Sequence, residues 1–222
     1  YRPVKAGKYP ILISYGTYAK DLAFQEGYPN AWELLSTDHP EAIAGSTNIH
    51  QNWEVVDPEQ WVPDNYICIR VDSRGSGRSP GHLYHLSLRE AQDFKDCIEW
   101  AGQQMWSNGK VGLAGISYYA INQWQVAALR PKHLAAMCVW EGASDFYREM
   151  VYHGGIYSSY SRNWYDNRIS TVQHGAGKRG YKSRVTGELV AGPNTLTDKE
   201  LQKNRSNIAL DYEAHPFNDE FY

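Results

Sequence analysis

The residues with the clearest capacity for chemistry lie in Lys110–Ala120, KVGLAGISYYA, where Ser117 stands between a short apolar run and the start of a helical pattern. A sharp strand-to-helix turn carrying a serine lifts its hydroxyl clear of the backbone and aims the following peptide N–H groups at a developing oxyanion. That arrangement serves nucleophilic acyl transfer. Over so short a stretch, a buried serine in an ordinary strand–turn would read the same. The generic G-x-S-x-G pattern asks for small residues two before and two after the serine, because strand and helix pack closely there. Gly115 fits, Tyr119 does not, and the next small residue is Ala120.

A serine at its free pKa is a poor nucleophile without an adjacent base. Glu141 and Asp145 follow an apolar run, and His153, His174 and His215 come later in the chain, as an order Ser–acid–His requires. His153 and His215, in Tyr-His-Gly-Gly and His-Pro-Phe, read better as turn or packing residues, so an internal triad is the weaker alternative. His39, His50, His82, His85 and His133 read as surface or loop residues. Asp72 and Arg74 stand just before Gly75 and Gly77, which suits a tight turn pinned by an Asp–Arg pair. The glycine-rich stretch lacks the spacing and lysine of a phosphate loop.

Composition narrows the classes. The chain has 222 residues, 42% hydrophobic and 21% charged, enough to bury a core without disulfide or metal staples. A net charge of −3 gives no reason to expect nucleic acid or an anionic membrane as partner. No apolar run is long enough to span a bilayer. Cys68, Cys97 and Cys138 lack metal-ligand spacing and read as buried thiols of a reducing, cytoplasmic compartment; no metal or other cofactor is expected. The chain opens on Tyr1 rather than Met, so a preceding segment is expected, and with it an unseen signal peptide remains open. Eight Trp and 17 Tyr are many. Such rings either cover a junction between two lobes or wall a pocket for an apolar acyl or aryl group. Trp140 is read as one such pocket residue.

Short apolar runs at Pro10–Ser14, Asn65–Val71, Val111–Ile116 and Leu134–Trp140 predict buried strands. Leu88–Gln104 predicts a helix with Ala91, Phe94, Ile98 and Ala101 on one face, capped by Ser87 with Glu90 three residues on. Tyr118–Leu129 predicts another, with Ile121, Trp124, Gln125 and Ala128 in register. Strands alternating with helices read as βαβ units, hence an α/β fold with a mostly parallel sheet. Sites in such sheets lie beyond the carboxyl ends of the strands, where Tyr15–Lys20, Asp72–Gly81, Ser117 and Glu141–Asp145 all fall. From residue 146 the strand signal fades. Residues 1–145 then form the core, and 146–222 a helical, loop-rich insertion over the strand ends, with a helix in Leu196–Leu210 capped by Thr197.

Taken in succession, D-S-R-G-S-G-R-S-P-G at 72–81, R-E-A-Q-D-F at 89–94, W-S-N-G-K-V-G at 106–112, G-I-S-Y-Y-A at 115–120 and W-E-G-A-S-D-F-Y-R at 140–148 resemble the cocaine-esterase-like acyl hydrolases. That group includes X-prolyl dipeptidyl-peptidases and α-amino acid ester hydrolases, and its elbow accommodates Tyr119. The resemblance implies an α/β-hydrolase core, a helical cap begun at residue 146 and a C-terminal β-sandwich. It also implies a Ser–Asp–His triad in which Ser117 is the nucleophile. Tyr118 would supply one oxyanion N–H through its backbone, and Tyr18, in Gly16-Thr-Tyr-Ala-Lys20, the second donor through its hydroxyl; a packing ring at a loop start is the weaker alternative for Tyr18. Asp145, Tyr147 and Arg148 then fix the first turn of the cap. The triad Asp and His are expected beyond Tyr222, which makes the chain an N-terminal fragment, idle by itself.

The expected activity is hydrolysis of a small-molecule carboxylic ester. An X-Pro dipeptidyl-peptidase or α-amino acid ester hydrolase is the alternative, but would need carboxylates to hold the substrate ammonium. A non-catalytic lobe is the reading from another class. An incomplete sheet predicts exposed apolar edge and face, hence association into homo-oligomers.

Overall fold

The computed structural model describes residues 1–222. Strands β1 (Tyr9–Gly16), β2 (Ile67–Asp72), β3 (Ser107–Ile116) and β4 (Leu134–Trp140) form one sheet in the order β2-β1-β3-β4. Every neighbouring pair is parallel. Three short helices, α1 (Phe24–Gly27), α2 (Pro29–Asp38) and α3 (Pro58–Trp61), fill the β1–β2 connection. Helix α4 (Leu88–Gly102) crosses from β2 to β3, and α5 (Tyr118–Ala128) from β3 to β4.

The core follows from the strand pattern. Ile11, Ile13, Ile67, Val111 and Leu113 pack with Phe94, Ile98 and Ala101 of α4 and with Val126 of α5. The predicted face of α4 is the buried one, and Ser87 accepts from the Glu90 N–H as its cap. Helix α5 turns differently from the expected register. Trp124 and Ala128 are exposed, and the buried residues include Ile121, Asn122, Gln123 and Val126. Two amides sit inside because each finds backbone acceptors: Asn122 donates to the Tyr15 carbonyl at 2.5 Å, and Gln123 to the Cys138 carbonyl at 3.1 Å.

Beyond β4 the chain winds through short elements: β5 (Tyr152–His153), β6 (Ile156–Tyr157), α6 (Tyr160–Trp164), α7 (Asp198–Lys203) and α8 (Ile208–Ala214). Thr197 and Glu200 close a full capping box on α7. The single helix expected over Leu196–Leu210 is broken, because Asn207 caps a new helix with its side chain. Val151, Tyr152, Tyr165, Ile169, Ile208 and Tyr212 from this segment bury themselves with Tyr18, Leu83, Tyr118 and Tyr119, which lie beyond the strand ends. No helix is long and apolar enough to cross a membrane.

Two further local expectations are corrected. Asp72 and Arg74 do not pair. Asp72, buried, accepts from Lys20 N at 2.5 Å, Lys20 Nζ at 2.9 Å and Arg78 N at 2.8 Å. Arg74 instead forks onto Asp93 of α4 at 2.8 and 2.9 Å. Of the cysteines only Cys68 is fully buried; Cys138 is exposed on β4.

Candidate active site

Parallel strands that share one sheet deliver their following loops to the same edge. In the order β2-β1-β3-β4 the connection from β1 leaves towards β2, whereas that from β3 leaves towards β4. A crevice therefore opens between the ends of β1 and β3, where neighbouring loops part. Tyr18 stands just past β1 and Ser117 just past β3.

Ser117 has φ +55° and ψ −113°, a left-handed backbone that a non-glycine residue adopts at a cost of about 1–3 kcal/mol. The surroundings hold it there. Its N–H donates to the Trp140 carbonyl at 3.0 Å, and its own carbonyl accepts from the N–H groups of Ala120 and Ile121, both at 2.9 Å. The turn leaves the Tyr118 N–H at the first position of α5, where backbone donors lack helical partners and the helix dipole favours negative charge. Neighbouring residues make the space. A Cβ on Gly115 would fall 2.3 Å from Tyr119 Cβ, and one on Gly16 2.5 Å from the Tyr119 ring. Tyr119 thus occupies the place of the second glycine by lying across a glycine of the adjacent strand, while Ala120 is fully buried.

A cavity of about 490 Å³ opens over this turn, lined by Tyr18, Ser117, Tyr118, Glu141, His153 and Trp164 among others. Tyr18 is buried, and its hydroxyl oxygen accepts from the Trp164 indole N–H at 2.9 Å. The Tyr118 ring is buried as well, its hydroxyl donating to Glu90 Oε2 at 2.6 Å. Ser117, Tyr18 and Tyr118 are brought together. Trp140 is not: its side chain is 62% exposed and faces a different cavity, on the flank of β4. Strand alternation explains this, since successive side chains point to opposite faces. The Trp140 indole N–H lies against Cys138 Sγ at 2.7 Å on that flank, and only its carbonyl reaches Ser117.

Among the alternative acids and bases, Asp145 is engaged by Arg148 and His215 pairs with Asp219 at 2.8 Å. His174 bonds the Gly77 carbonyl at 3.0 Å. His153 lines the Ser117 cavity, with its Nε2 taken by the Glu149 carbonyl. No histidine nitrogen is hydrogen-bonded to Ser117. His85, read as a surface or loop residue, packs against the Trp164 and Tyr165 rings instead, and burial pulls it down to about 4.

Glu54 escaped the sequence reading. It lies with Tyr18, Tyr28, Trp53, Tyr160 and Trp164 around a second cavity of about 640 Å³ that shares Tyr18, Tyr160 and Trp164 with the first. Its backbone is left-handed too, at φ +61°, and its carbonyl accepts from the Ile116 N–H at 3.1 Å. Burial pushes its carboxyl up to about 8, with Glu141 adding to the effect, although Trp53 and the Tyr118 N–H are close enough to moderate it. Glu54 Oε2 is buried with no hydrogen-bond partner. No local pattern marks such a residue; only the tertiary fold brings it beside Ser117.

A parallel sheet flanked by helices, with a strained serine at the β3–α5 junction, is an α/β-hydrolase core. The chain belongs to the X-Pro dipeptidyl-peptidase (S15 family), whose profile matches residues 1–221. It is 30% identical over 155 residues to cocaine esterase from Rhodococcus sp. (strain MB1 Bresler), a match over 70% of this chain and 22% of that protein. A CocE/NonD family hydrolase from Staphylococcus aureus aligns over the whole chain at 35% identity and a TM-score of 0.74. A second crystal structure of that hydrolase aligns at 33% and 0.73. An aminopeptidase from a marine sediment archaeon, Thaumarchaeota archaeon, shares the fold at 15% identity and a TM-score of 0.57. The chain spans about a third of the length of these solved structures.

Proposed function

We propose that this chain is the nucleophile-bearing part of a serine hydrolase that cleaves carboxylic esters through an acyl-enzyme at Ser117. The observation that carries the reading is the strained Ser117 turn, with Tyr18 and Tyr118 lining the same cavity. Ser117 Oγ attacks the ester carbonyl carbon and its proton passes to a general base. The carbonyl oxygen takes up the electron pair as an oxyanion, held by the Tyr118 N–H and the Tyr18 hydroxyl. Collapse expels the alcohol, which leaves with the proton, and water then releases the acid by the reverse sequence. In this reading the base is a histidine oriented by an acid, and no histidine nitrogen of residues 1–222 is hydrogen-bonded to Ser117. Residues 146–222 act as the cap that closes the cavity.

Labelling with a fluorophosphonate tests this reading. In the full-length protein, stoichiometric modification that disappears in Ser117→Ala supports it. Absence of labelling, or labelling that survives the substitution, overturns it and favours a non-catalytic lobe.

A second reading has one observation in its favour. Glu54 and Glu141 put two carboxyls near the Ser117 turn, one of them with an unpartnered oxygen, which suits a substrate bearing an ammonium group. Turnover of X-Pro anilides or α-amino esters above that of aryl and fatty acyl esters would select it.

A further inference from the structure

The contact between Trp164 of α6 and Tyr18 has a direction set by chemistry. The indole N–H donates and accepts nothing, so Tyr18 Oη must be the acceptor of the 2.9 Å bond between them. Trp164 is the only hydrogen-bond partner of that hydroxyl in the chain. With its acceptor side occupied, the phenol still holds one hydrogen to give. Both residues line the cavity over Ser117. Trp164 is itself fixed in place: it stacks on the Tyr118 ring with centroids 6.0 Å apart at 26° and meets the His85 ring at 5.8 Å.

We propose that Trp164 is a positioning residue for the oxyanion site: by donating to Tyr18 Oη it turns the phenol hydrogen towards the cavity above Ser117, where the oxyanion forms. The inference rests on the reading of Tyr18 as an oxyanion donor. Accepting one hydrogen bond also strengthens the next one the hydroxyl donates. The consequence concerns the whole molecule. Tyr18 follows the first strand and Trp164 lies 146 residues later. The oxyanion site is therefore complete only when the C-terminal segment is packed on the strand ends.

The test uses the full-length enzyme and an activated ester. Trp164→Phe keeps a ring against Tyr118 and removes the N–H. It lowers kcat by about tenfold or more, less than the roughly 10²–10³ lost with a whole oxyanion donor, and leaves KM within about twofold. In a Tyr18→Phe background the same substitution costs nothing further, because the hydroxyl it orients is gone. Replacing Trp164 by benzothienylalanine, which exchanges only the N–H for sulfur, reproduces the loss with an unchanged Tm and so removes packing as the cause. Unchanged kcat in both replacements overturns the proposal, as does an equal loss in the presence and absence of the Tyr18 hydroxyl. Failure of the underlying readings looks different: activity that survives Ser117→Ala overturns the hydrolase, and wild-type kcat in Tyr18→Phe overturns the role of Tyr18 and this proposal with it.

Discussion

Glu90 Oε2 receives two short hydrogen bonds, from the Tyr118 hydroxyl at 2.6 Å and from the Leu86 N–H at 2.6 Å, which ties the residue after Ser117 to the start of α4. Burial pushes this carboxyl up to about 7 from an ordinary 4.5, with Asp93 adding to it, while the hydrogen bonds from Tyr118 and Leu86 oppose the shift.

The raised Glu90 carboxyl has a measurable consequence. Between pH 4.5 and about 7 the folded state binds more protons than the unfolded one, so stability is full below that window and falls as pH rises through it. The loss is on the order of 3 kcal/mol at most. Urea unfolding of Glu90→Gln at stepped pH shows a flatter profile than wild type, with the remaining slope assigned to Glu54, shifted in the same direction up to about 8.

The Asp72 and Arg74 contacts predict unequal costs. Asp72→Ala strips a buried carboxylate from the Lys20 and Arg78 N–H groups and from Lys20 Nζ, at a cost of about 3–5 kcal/mol. Arg74→Ala breaks an ion pair to Asp93 whose arginine is well exposed, and costs under about 1 kcal/mol. Chemical denaturation of the two variants side by side checks the order; equal losses would mean that the burial of the two contacts does not set their cost.

The approach of Tyr119 to Gly16 is testable by a double-mutant cycle. Gly16→Ala forces the added methyl into the Tyr119 ring and destabilises by about 1–3 kcal/mol. Combined with Tyr119→Ala, which clears the space, the second loss largely disappears. Additive losses would mean that the ring is not what limits residue 16.

Glu54 separates the two substrate readings. In the full-length enzyme, Glu54→Gln raises KM for α-amino esters by about tenfold if the carboxyl holds an ammonium group, and leaves neutral aryl esters within about twofold. The ratio of kcat/KM between the two substrate classes is the measurement. An unchanged ratio removes the amine-selective reading.

Much of the fold was legible because its signals are local. Leu134–Trp140 is a strand with the predicted bounds, and α4 shows the predicted buried face. Ser87 and Thr197 cap the helices their side chains announced. The register of α5 departs from its apolar pattern because it buries Asn122 and Gln123, whose partners include carbonyls near the ends of β1 and β4. Trp140 departs from its expected place because an aromatic at a strand end belongs to one face or the other only once the strand's neighbours are known.

The sequence by itself determined the order of the four sheet strands with α4 and α5, and the seat of Ser117 at a strand–helix junction, because periodicity and capping act over a few residues. Its motifs also carried the family resemblance. Only the tertiary structure decided what surrounds that serine. Tyr18, Glu54, Tyr118 and Trp164 meet there because a parallel sheet sends its loops to one edge and the C-terminal segment packs over them. Contacts across such distances depend on packing that no short window of sequence encodes.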